Sequence, residues 1–432
     1  MTTKKKIPVV KLTTPAGKKL IHTINAARQS RDEAVSGSVR EILDTIRKNG
    51  DTALFEYTLK FDKVKLTPKS LCVSSKEISA QAKKAPQELQ TAIREAALRI
   101  RAYHEKQKRI GFSLNTNEGM LCQLIAPLNR VALYIPGGKT VYPSTVLMNA
   151  IPAQVAGVRE IVAVTPPRGD IDPGIAFALQ LLGLSEIYRI GGAQAIGALA
   201  YGTKTIRSVD KIVGPGNSFV AAAKRMVYGT VDIDSVAGPS EVVIITDSSV
   251  EPSWVAYDLL AQAEHGSGDE LAICITEDES FAKEIAAATL DEIGQSPLQE
   301  RFVALPDHAI SVIVCNSRDE SIALANEIGP EHLQIMTKSY KKDVTKITNA
   351  AAIFLGKYTP VALGDYFIGT NHVLPTGGGA RFASPLGVDS FTKRISVAEI
   401  TAEGLDFSAP FVSTFARAEN FIHHALSVEK RT

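Results

Sequence analysis

A chain of 432 residues is longer than one hydrophobic core usually serves, so we expect two or more domains. Apolar residues make up 45% of the chain and charged residues 22%, a normal globular balance with ample material for buried cores. The formal net charge is only +2, and basic and acidic residues are interspersed, which argues against nucleic-acid binding.

The N-terminal part of the chain predicts an arm followed by helices. Residues 1–25 have little apolar material for a core of their own. The apolar patch at residues 7–10 is too short for a signal-peptide core, and no later stretch reaches transmembrane length, so a cytoplasmic location is expected. From about Asp32 to Gln107 the pattern is helical.

From residue 130 onward, short apolar runs alternate with helical patterns, which is typical of parallel sheets with right-handed crossovers. The predicted strands are 130–135, 160–165, 186–190 and 210–213, then 241–246, 271–276, 311–315, 332–336 and 351–355. We therefore predict an α/β fold with two Rossmann-like parallel-sheet domains in series. After about Arg381, a strand at 396–400 and a helix from Phe411 form a tail too small for an independent core.

Metal-ligand residues concentrate at the ends of predicted elements. Gln262 and His265 are three residues apart, so both are expected on one face of the last turn of a helix at 252–265. Asp365 and His424 stand in stretches with no structural need for them. One amide oxygen, one carboxylate and two imidazoles suit zinc, with room left for a substrate. For the first pair alone, an ordinary polar helix end is the alternative.

Glu331 and His332 are predicted at a tight turn where a helix breaks into a strand. Such a pair offers one group to activate water and one to transfer protons near neutral pH. A solvated turn is the structural alternative.

Glycines end several predicted strands, at Pro136-Gly-Gly138, Gly191-Gly192 and Gly214-Pro-Gly-Asn217. Backbone there can approach a ligand closely, at the carboxyl edge where such sheets bind ligands. No GxGxxG motif is present, so tight helix packing is the alternative to cofactor binding.

Eight blocks of the chain resemble histidinol dehydrogenases in their order and spacing, from about residue 30 to the C-terminus. They are Ala132-Leu-Tyr-Ile-Pro-Gly-Gly138, Tyr142-Pro-Ser-Thr-Val-Leu-Met148, Ile190-Gly-Gly-Ala-Gln-Ala-Ile196, Gly214-Pro-Gly-Asn217, Ala237-Gly-Pro-Ser-Glu241, Gln262-Ala-Glu-His-Gly266, Gly329-Pro-Glu-His332 and Asn371-His-Val-Leu-Pro-Thr-Gly377. The resemblance implies an aldehyde-dehydrogenase-like pair of domains. The expected divisions are an N-terminal arm (1–25), a discontinuous metal and substrate domain (26–125 with 240–380), an NAD-binding domain (126–239) and a C-terminal tail (381–432).

The resemblance also implies the roles of individual residues. The implied zinc ligands, which also contact substrate, are Gln262, His265, Asp365 and His424. Glu331 and His332 are the implied acid/base pair. The implied NAD contacts are Tyr134, Gln194 and Asn217, and further substrate contacts are Ser240, His332 and Glu419. His424 is preferred to the adjacent His423 because it lies five residues after Glu419, as in the family; Asn420 stands where similar enzymes usually carry glycine.

The activity implied is oxidation of L-histidinol to L-histidine through L-histidinaldehyde with two NAD+, the last steps of histidine biosynthesis, in a homodimer whose site is shared between subunits. The four cysteines (Cys72, Cys122, Cys274 and Cys315) include no good candidate for an activated thiolate, so an aldehyde hydrate fits better than a thiohemiacetal. The alternatives are a related zinc- and NAD-dependent dehydrogenase of another small amino or sulfonated alcohol, a zinc hydrolase, and a two-lobed binding protein.

Overall fold

A computed structural model of the chain describes residues 5–29, 35–137, 142–167, 169–236, 238–265 and 268–432. Asp32, Gly138, Ala237 and Gly266, singled out in the sequence, lie outside these ranges. The described strands are β1 (Val9–Lys11), β2 (Phe112–Asn115), β3 (Gly119–Pro127), β4 (Arg130–Tyr134), β5 (Glu160–Val164), β6 (Glu186–Tyr188), β7 (Lys211–Val213), β8 (Asp232–Ile233), β9 (Glu241–Thr246), β10 (Leu271–Thr276), β11 (Ile310–Val314), β12 (His332–Met336), β13 (Ala352–Leu355) and β14 (Thr392–Ile400).

The described helices are α1 (Pro15–Gln29), α2 (Ser36–Asn49), α3 (Asp51–Asp62), α4 (Pro68–Leu71), α5 (Ser75–Ala82), α6 (Gln87–Glu105), α7 (Pro143–Ala156), α8 (Pro173–Leu181), α9 (Gly192–Tyr201), α10 (Ser218–Val227), α11 (Pro252–Ala263), α12 (Glu279–Gln295), α13 (Gln299–Ala304), α14 (Arg318–Ile328), α15 (Tyr340–Asp343), α16 (Val361–Tyr366), α17 (Ala402–Ala418) and α18 (Ile422–Glu429). None of these helices is both long enough and apolar enough to cross a membrane.

The first parallel sheet contains five strands in the order β6-β5-β4-β7-β8. Counted along the chain from β4, this is the Rossmann order 3-2-1-4-5, with the topological switch point between β4 and β7. Every residue of β4 is buried, because helices cover both faces of the sheet.

The second parallel sheet contains six strands in the order β1-β11-β10-β9-β12-β13. Counted from β9, its last five strands repeat the order of the first sheet, with the switch point between β9 and β12. The bounds of β9, β10 and β12 agree with the sequence predictions. The prediction of two Rossmann-like parallel sheets in one α/β chain is thus confirmed.

The N-terminal segments pack differently from the sequence expectation. Strand β1 lies parallel to β11, and Leu20 and Ile24 of α1 are buried in the core of the second sheet, so the described part of the arm belongs to that sheet. Residues 26–125 were expected to accompany residues 240–380. Instead, α2 packs on α9 and α10, and α5 and α6 pack on α7 and α8. The reason is that Ile42 and Ile100, among other apolar residues of these helices, cover opposite faces of the first sheet.

A third sheet is antiparallel and carries the C-terminal tail. It has the order β14-β3-β2, and β14 pairs along the whole of β3. The tail then forms α17 and α18, which pack against each other. Helix α17 begins at Ala402, not near Phe411 as expected, and contains Pro410. Its Phe407, Phe411 and Phe415 are all more than half exposed.

Ion pairs fill the carboxyl edge of the second sheet at its switch point. Arg318, at the start of α14, donates from Nη2 to Glu277 Oε2 at 2.7 Å and from Nη1 to Asp343 Oδ2 at 2.9 Å, and its Nη2 lies 3.8 Å from Asp247 Oδ2. Thr337 Oγ1 also donates to Asp343 at 2.6 Å. The place where such sheets commonly bind ligands is therefore occupied here by the protein's own side chains.

We expect Arg318→Met to lower the free energy of unfolding by about 3 kcal/mol, because it leaves the buried Asp343 and the half-buried Glu277 and Asp247 without their cation. Urea denaturation measures this change. Lys283→Met is the matched control, since Lys283 forms an exposed helix ion pair with Glu279 and should contribute less than about 1 kcal/mol. Equal midpoints for Arg318→Met and the wild type would contradict the prediction.

Candidate active site

A cavity of about 330 Å³ lies between the carboxyl edge of the first sheet and the amino edge of the second. Its volume is in the range of a small-molecule site. The first sheet contributes strand-end residues, the second contributes strand-start residues, and the loop after α16 forms a further wall. The described lining residues are Pro136, Tyr142, Ser144, Thr145, Gly214, Pro215, Gly216, Asp234, Ser235, Gly238, Ser240, His265, Glu331, His332, Asp365, Tyr366, His372, Val373, Leu374 and Thr376.

The turn that carries Glu331 and His332 is set by a glycine. Helix α14 ends at Gly329, whose φ of +56° is left-handed, and a Cβ there would also lie 3.1 Å from Arg381 Cγ. Pro330 follows, and His332 is the first residue of β12. The predicted position of this pair at a strand start is confirmed, whereas the solvated alternative is wrong, because both side chains are buried.

The Glu331 carboxylate is held by two donors from the start of the neighbouring strand. Its Oε2 accepts hydrogen bonds from Ser240 Oγ at 2.5 Å and from the Glu241 backbone N–H at 2.9 Å. Burial raises the pKa of Glu331, against the opposing effect of His332 and of these two hydrogen bonds. The carboxyl group is thus fixed in place at the cavity wall, as a general base requires.

His332 has one ring nitrogen tied to the backbone and one directed toward Asp365. Its Nδ1 lies 3.2 Å from the Glu241 carbonyl oxygen, so the tautomer protonated at Nδ1 can donate there. Its Nε2 lies 3.7 Å from Asp365 Oδ1 and has no hydrogen-bond partner among the described residues. Burial alone would lower the pKa of His332, but the carboxylates of Glu331 and Asp365 outweigh burial and raise the pKa to about 9.

Asp365, near the end of α16, lies among histidines. Burial alone would raise the pKa of Asp365, but His332, His372 and His265 outweigh burial and lower it. His372 Nδ1 lies 3.0 Å from the Asp365 carbonyl oxygen, and its side chain lines the cavity. No role was predicted for His372; its only signal in the sequence is its place in the block Asn371–Gly377.

His265 lines the cavity, and its position relative to Gln262 differs from the prediction. Helix α11 ends at Ala263, so His265 lies in the turn beyond the helix, with Nδ1 3.1 Å from the Gln262 carbonyl oxygen. The Gln262 side chain is buried, and its Nε2 has no hydrogen-bond partner in the described part of the chain. The Gln262 carboxamide oxygen, the His265 imidazole and the Asp365 carboxylate are donors of the kinds that zinc binds, and His265 and Asp365 both line the cavity. No three His, Cys, Asp or Glu side chains of the described residues are grouped closely enough to hold a metal ion.

The two tail residues of the predicted site, Glu419 and His424, are not among the described residues that line the cavity. Both are exposed, and the His424 ring packs on Phe421, with centroids 5.1 Å apart. Between α17 and α18, Asn420 has a left-handed φ of +65°. This conformation explains why glycine also suits that position.

The three residues implied as NAD contacts share the carboxyl edge of the first sheet, outside the cavity lining. The Tyr134 hydroxyl accepts a hydrogen bond from the Gly192 N–H at 3.0 Å, at the start of α9. Gln194 Nε2 lies 3.4 Å from Asp62 Oδ2, and Asn217 Oδ1 caps α10 by accepting from the Val220 N–H at 3.1 Å. The edge therefore offers two helix N-termini beside the cavity.

Comparisons with known proteins agree with one another. The family model described as histidinol dehydrogenase matches residues 25–432. A histidinol dehydrogenase of Syntrophotalea carbinolica is 44% identical over 412 residues, covering 94% of this chain and 95% of the relative. One of Bacillus thuringiensis is 46% identical over 404 residues, covering 93% of each.

The fold of the chain also matches that of a solved structure. The crystal structure of histidinol dehydrogenase from Elizabethkingia anophelis matches with a TM-score of 0.89 at 36% identity, and the match covers 99% of this chain and 98% of that one. Sequence and fold thus match over nearly the whole length of the chain, and the chain belongs to the histidinol dehydrogenase family.

Proposed function

We propose that this chain oxidises L-histidinol to L-histidine through L-histidinaldehyde, with two NAD+ as co-substrates, in the last steps of histidine biosynthesis. The observation that carries the proposal is the buried Glu331–His332 pair at the wall of a cavity between two Rossmann-like sheets. The cytoplasmic location expected from the sequence stays a prediction.

The two acid/base groups are suited to different steps. His332, with Nδ1 anchored to the Glu241 carbonyl oxygen, accepts the hydroxyl proton of the alcohol at Nε2 while hydride leaves for NAD+. Glu331, fixed by Ser240 and the Glu241 N–H, then removes a proton from the water that attacks the retained aldehyde. A metal ion held by Asp365 would weaken the effect of that carboxylate on the pKa of His332, which would favour His332 as a base.

The proposal includes one zinc ion per subunit, held by Gln262, His265 and Asp365, with His424 from a second copy of the chain. An amide oxygen, a carboxylate and two imidazoles are a donor set that zinc accepts. The metal would supply an orienting template for the imidazole and amino nitrogens of the substrate. Ser240, His332 and Glu419 would contact the substrate beside it.

In the second oxidation, the environment of the cysteines favours reaction of the aldehyde as its hydrate rather than as a thiohemiacetal formed with a thiol. Burial raises the pKa of the Cys274 thiol and raises that of Cys315 to about 11. A thiolate nucleophile requires a lowered pKa instead. None of the described residues that line the cavity is a cysteine.

The proposal is tested by adding L-histidinol and NAD+ to the purified protein and following the nicotinamide absorbance of NADH, with a chelator-treated sample as control. We expect two NADH for each L-histidine formed, and loss of activity after chelation that zinc restores. Hydrolysis of an ester or amide without NAD+ reduction would support the zinc hydrolase instead. NAD+ reduction with another amino alcohol only would support the related dehydrogenase.

Removal of a metal ligand should deplete zinc without unfolding the protein. His265→Ala and His424→Ala are each expected to lose bound zinc, measured by atomic absorption, while circular dichroism stays unchanged. His423→Ala is the control, because the adjacent imidazole is not an assigned ligand. Full zinc in His424→Ala together with zinc loss in His423→Ala would move the ligand by one position.

A further inference from the structure

A buried ion pair lies at the cavity wall on the side of the first sheet, where one of its members, Asp234, is a lining residue. Lys224 of α10 donates from Nζ to Asp234, which follows β8, and their side chains are only 2% and 5% exposed. Burying two charges carries a desolvation penalty that can exceed their mutual attraction. The burial of such a pair is therefore weak evidence that it stabilises the fold. Its role is better inferred from the backbone groups to which the two side chains hydrogen-bond.

Both members of the pair hydrogen-bond to the backbone of the same residue, Gly214, on the two peptide units that flank its Cα. Lys224 Nζ donates a second hydrogen bond to the Gly214 carbonyl oxygen at 2.9 Å, and Asp234 Oδ2 accepts from the Gly214 N–H at 2.7 Å. Gly214 has a φ of +111°, and a Cβ at this position would lie 2.3 Å from the Tyr134 carbonyl oxygen. The two charges thus fix the backbone polar groups of a glycine packed against the end of β4.

This glycine begins the turn that faces the cavity. Gly214, Pro215 and Gly216 line it, and Asn217 then caps α10. Tyr134 and Asn217, both implied as NAD contacts, therefore lie on either side of Gly214. The turn lies beside the switch point of the first sheet, where dinucleotides bind in Rossmann folds.

We propose that Lys224 and Asp234 are positioning residues that fix the Gly214–Asn217 turn for the dinucleotide. The inference rests on the proposed function, because it assumes that NAD binds at this edge. The inference predicts that the pair affects the affinity for the dinucleotide separately from any effect on the affinity for the substrate or for zinc.

Strands β7 and β8, which lead to Gly214 and Asp234, offer a control pair at their amino ends. Lys211, at the start of β7, donates from Nζ to Asp232 Oδ2, at the start of β8, at 2.8 Å. The Lys211 side chain is 6% exposed, and this pair lies at the amino edge of the sheet, away from the cavity. The Asp232 side chain is 49% exposed, so the two pairs are compared by their effect on NADH affinity. A purely structural role would give neither lysine a selective effect on that affinity.

The test compares Lys224→Met with Lys211→Met by titrating NADH against each protein, by its fluorescence, and by measuring KM for NAD+ and for L-histidinol. We expect Lys224→Met to weaken NADH binding and raise KM for NAD+ by roughly tenfold or more, since small misplacements of binding groups have large effects. KM for L-histidinol should change by less than about twofold, and Lys211→Met should bind NADH like the wild type. Equal NADH affinity in Lys224→Met and wild type would overturn the inference, as would equal weakening in Lys211→Met.

Two additional variants keep the test decisive if Lys224→Met does not fold. Asp234→Asn retains an oxygen to accept from the Gly214 N–H, whereas Asp234→Ala does not, so NADH affinity should fall more in Asp234→Ala. The same affinity in both would overturn the positioning role. Wild-type protein that neither binds NADH nor reduces NAD+ overturns the proposed function itself. Normal wild-type activity with unaffected variants overturns the positioning role alone.

Discussion

Glu331→Gln is expected to slow the oxidation of L-histidinaldehyde by roughly 10²–10⁴-fold, the usual contribution of a general base, while slowing the oxidation of L-histidinol much less. Glutamine has nearly the same shape, and its side-chain oxygen can still accept from Ser240 and from the Glu241 N–H. It cannot take a proton from water. The two oxidations therefore separate, because only the second consumes water.

The two steps are measured by supplying L-histidinol and L-histidinaldehyde separately and following NADH formation. Glu327→Gln is the matched control, since Glu327 is an exposed carboxylate of α14, four residues before Glu331 in the chain, and should leave both rates unchanged. An equal loss of rate in both steps for Glu331→Gln would assign the carboxylate a role common to both oxidations, such as holding His332. It would contradict the proposal that Glu331 acts only in the second oxidation.

The strands of the second sheet could be predicted closely because their surroundings are uniform. All residues of β9, β10 and β12 are buried, so each strand reads as a continuous apolar run bounded by turn residues. The start of α17 could not be predicted in this way. The predicted helix starts at Phe411, but α17 begins nine residues earlier, at Ala402, and continues through Pro410. Thr401 caps it by accepting a hydrogen bond from the Gly404 N–H.

Other features of the fold and the site depend on tertiary packing, which the sequence pattern does not specify. The helices between residues 36 and 105 have amphipathic faces, but nothing in their pattern states which sheet they cover. Glu331 and His332 were predictable because a left-handed glycine and a proline mark the turn before them. His372 was not, because its proximity to Asp365 depends on how the loop after α16 folds back.

Mixing two inactive variants is expected to restore activity if the site is shared between subunits. In the described chain, Glu419 and His424 are exposed on a tail whose aromatic residues Phe407, Phe411 and Phe415 also face solvent. Exposed apolar surface of this kind commonly marks a protein interface, and two-fold dimers are the commonest assembly. We therefore propose that the tail of each chain docks on a second copy and completes its site.

In a heterodimer of His265→Ala and His424→Ala subunits, one site carries both lesions and the other carries neither. Random pairing after mild dissociation should therefore restore roughly a quarter of wild-type activity in a two-fold dimer. Mixing His265→Ala with Glu331→Gln is the control. Both of these residues line the cavity of their own chain, so every site in that heterodimer keeps one lesion and aldehyde oxidation should stay low. If heterodimers form in the first mixture, as shown by affinity tags of different kinds on the two variants, and no activity returns, then each tail serves its own subunit and the shared site is wrong.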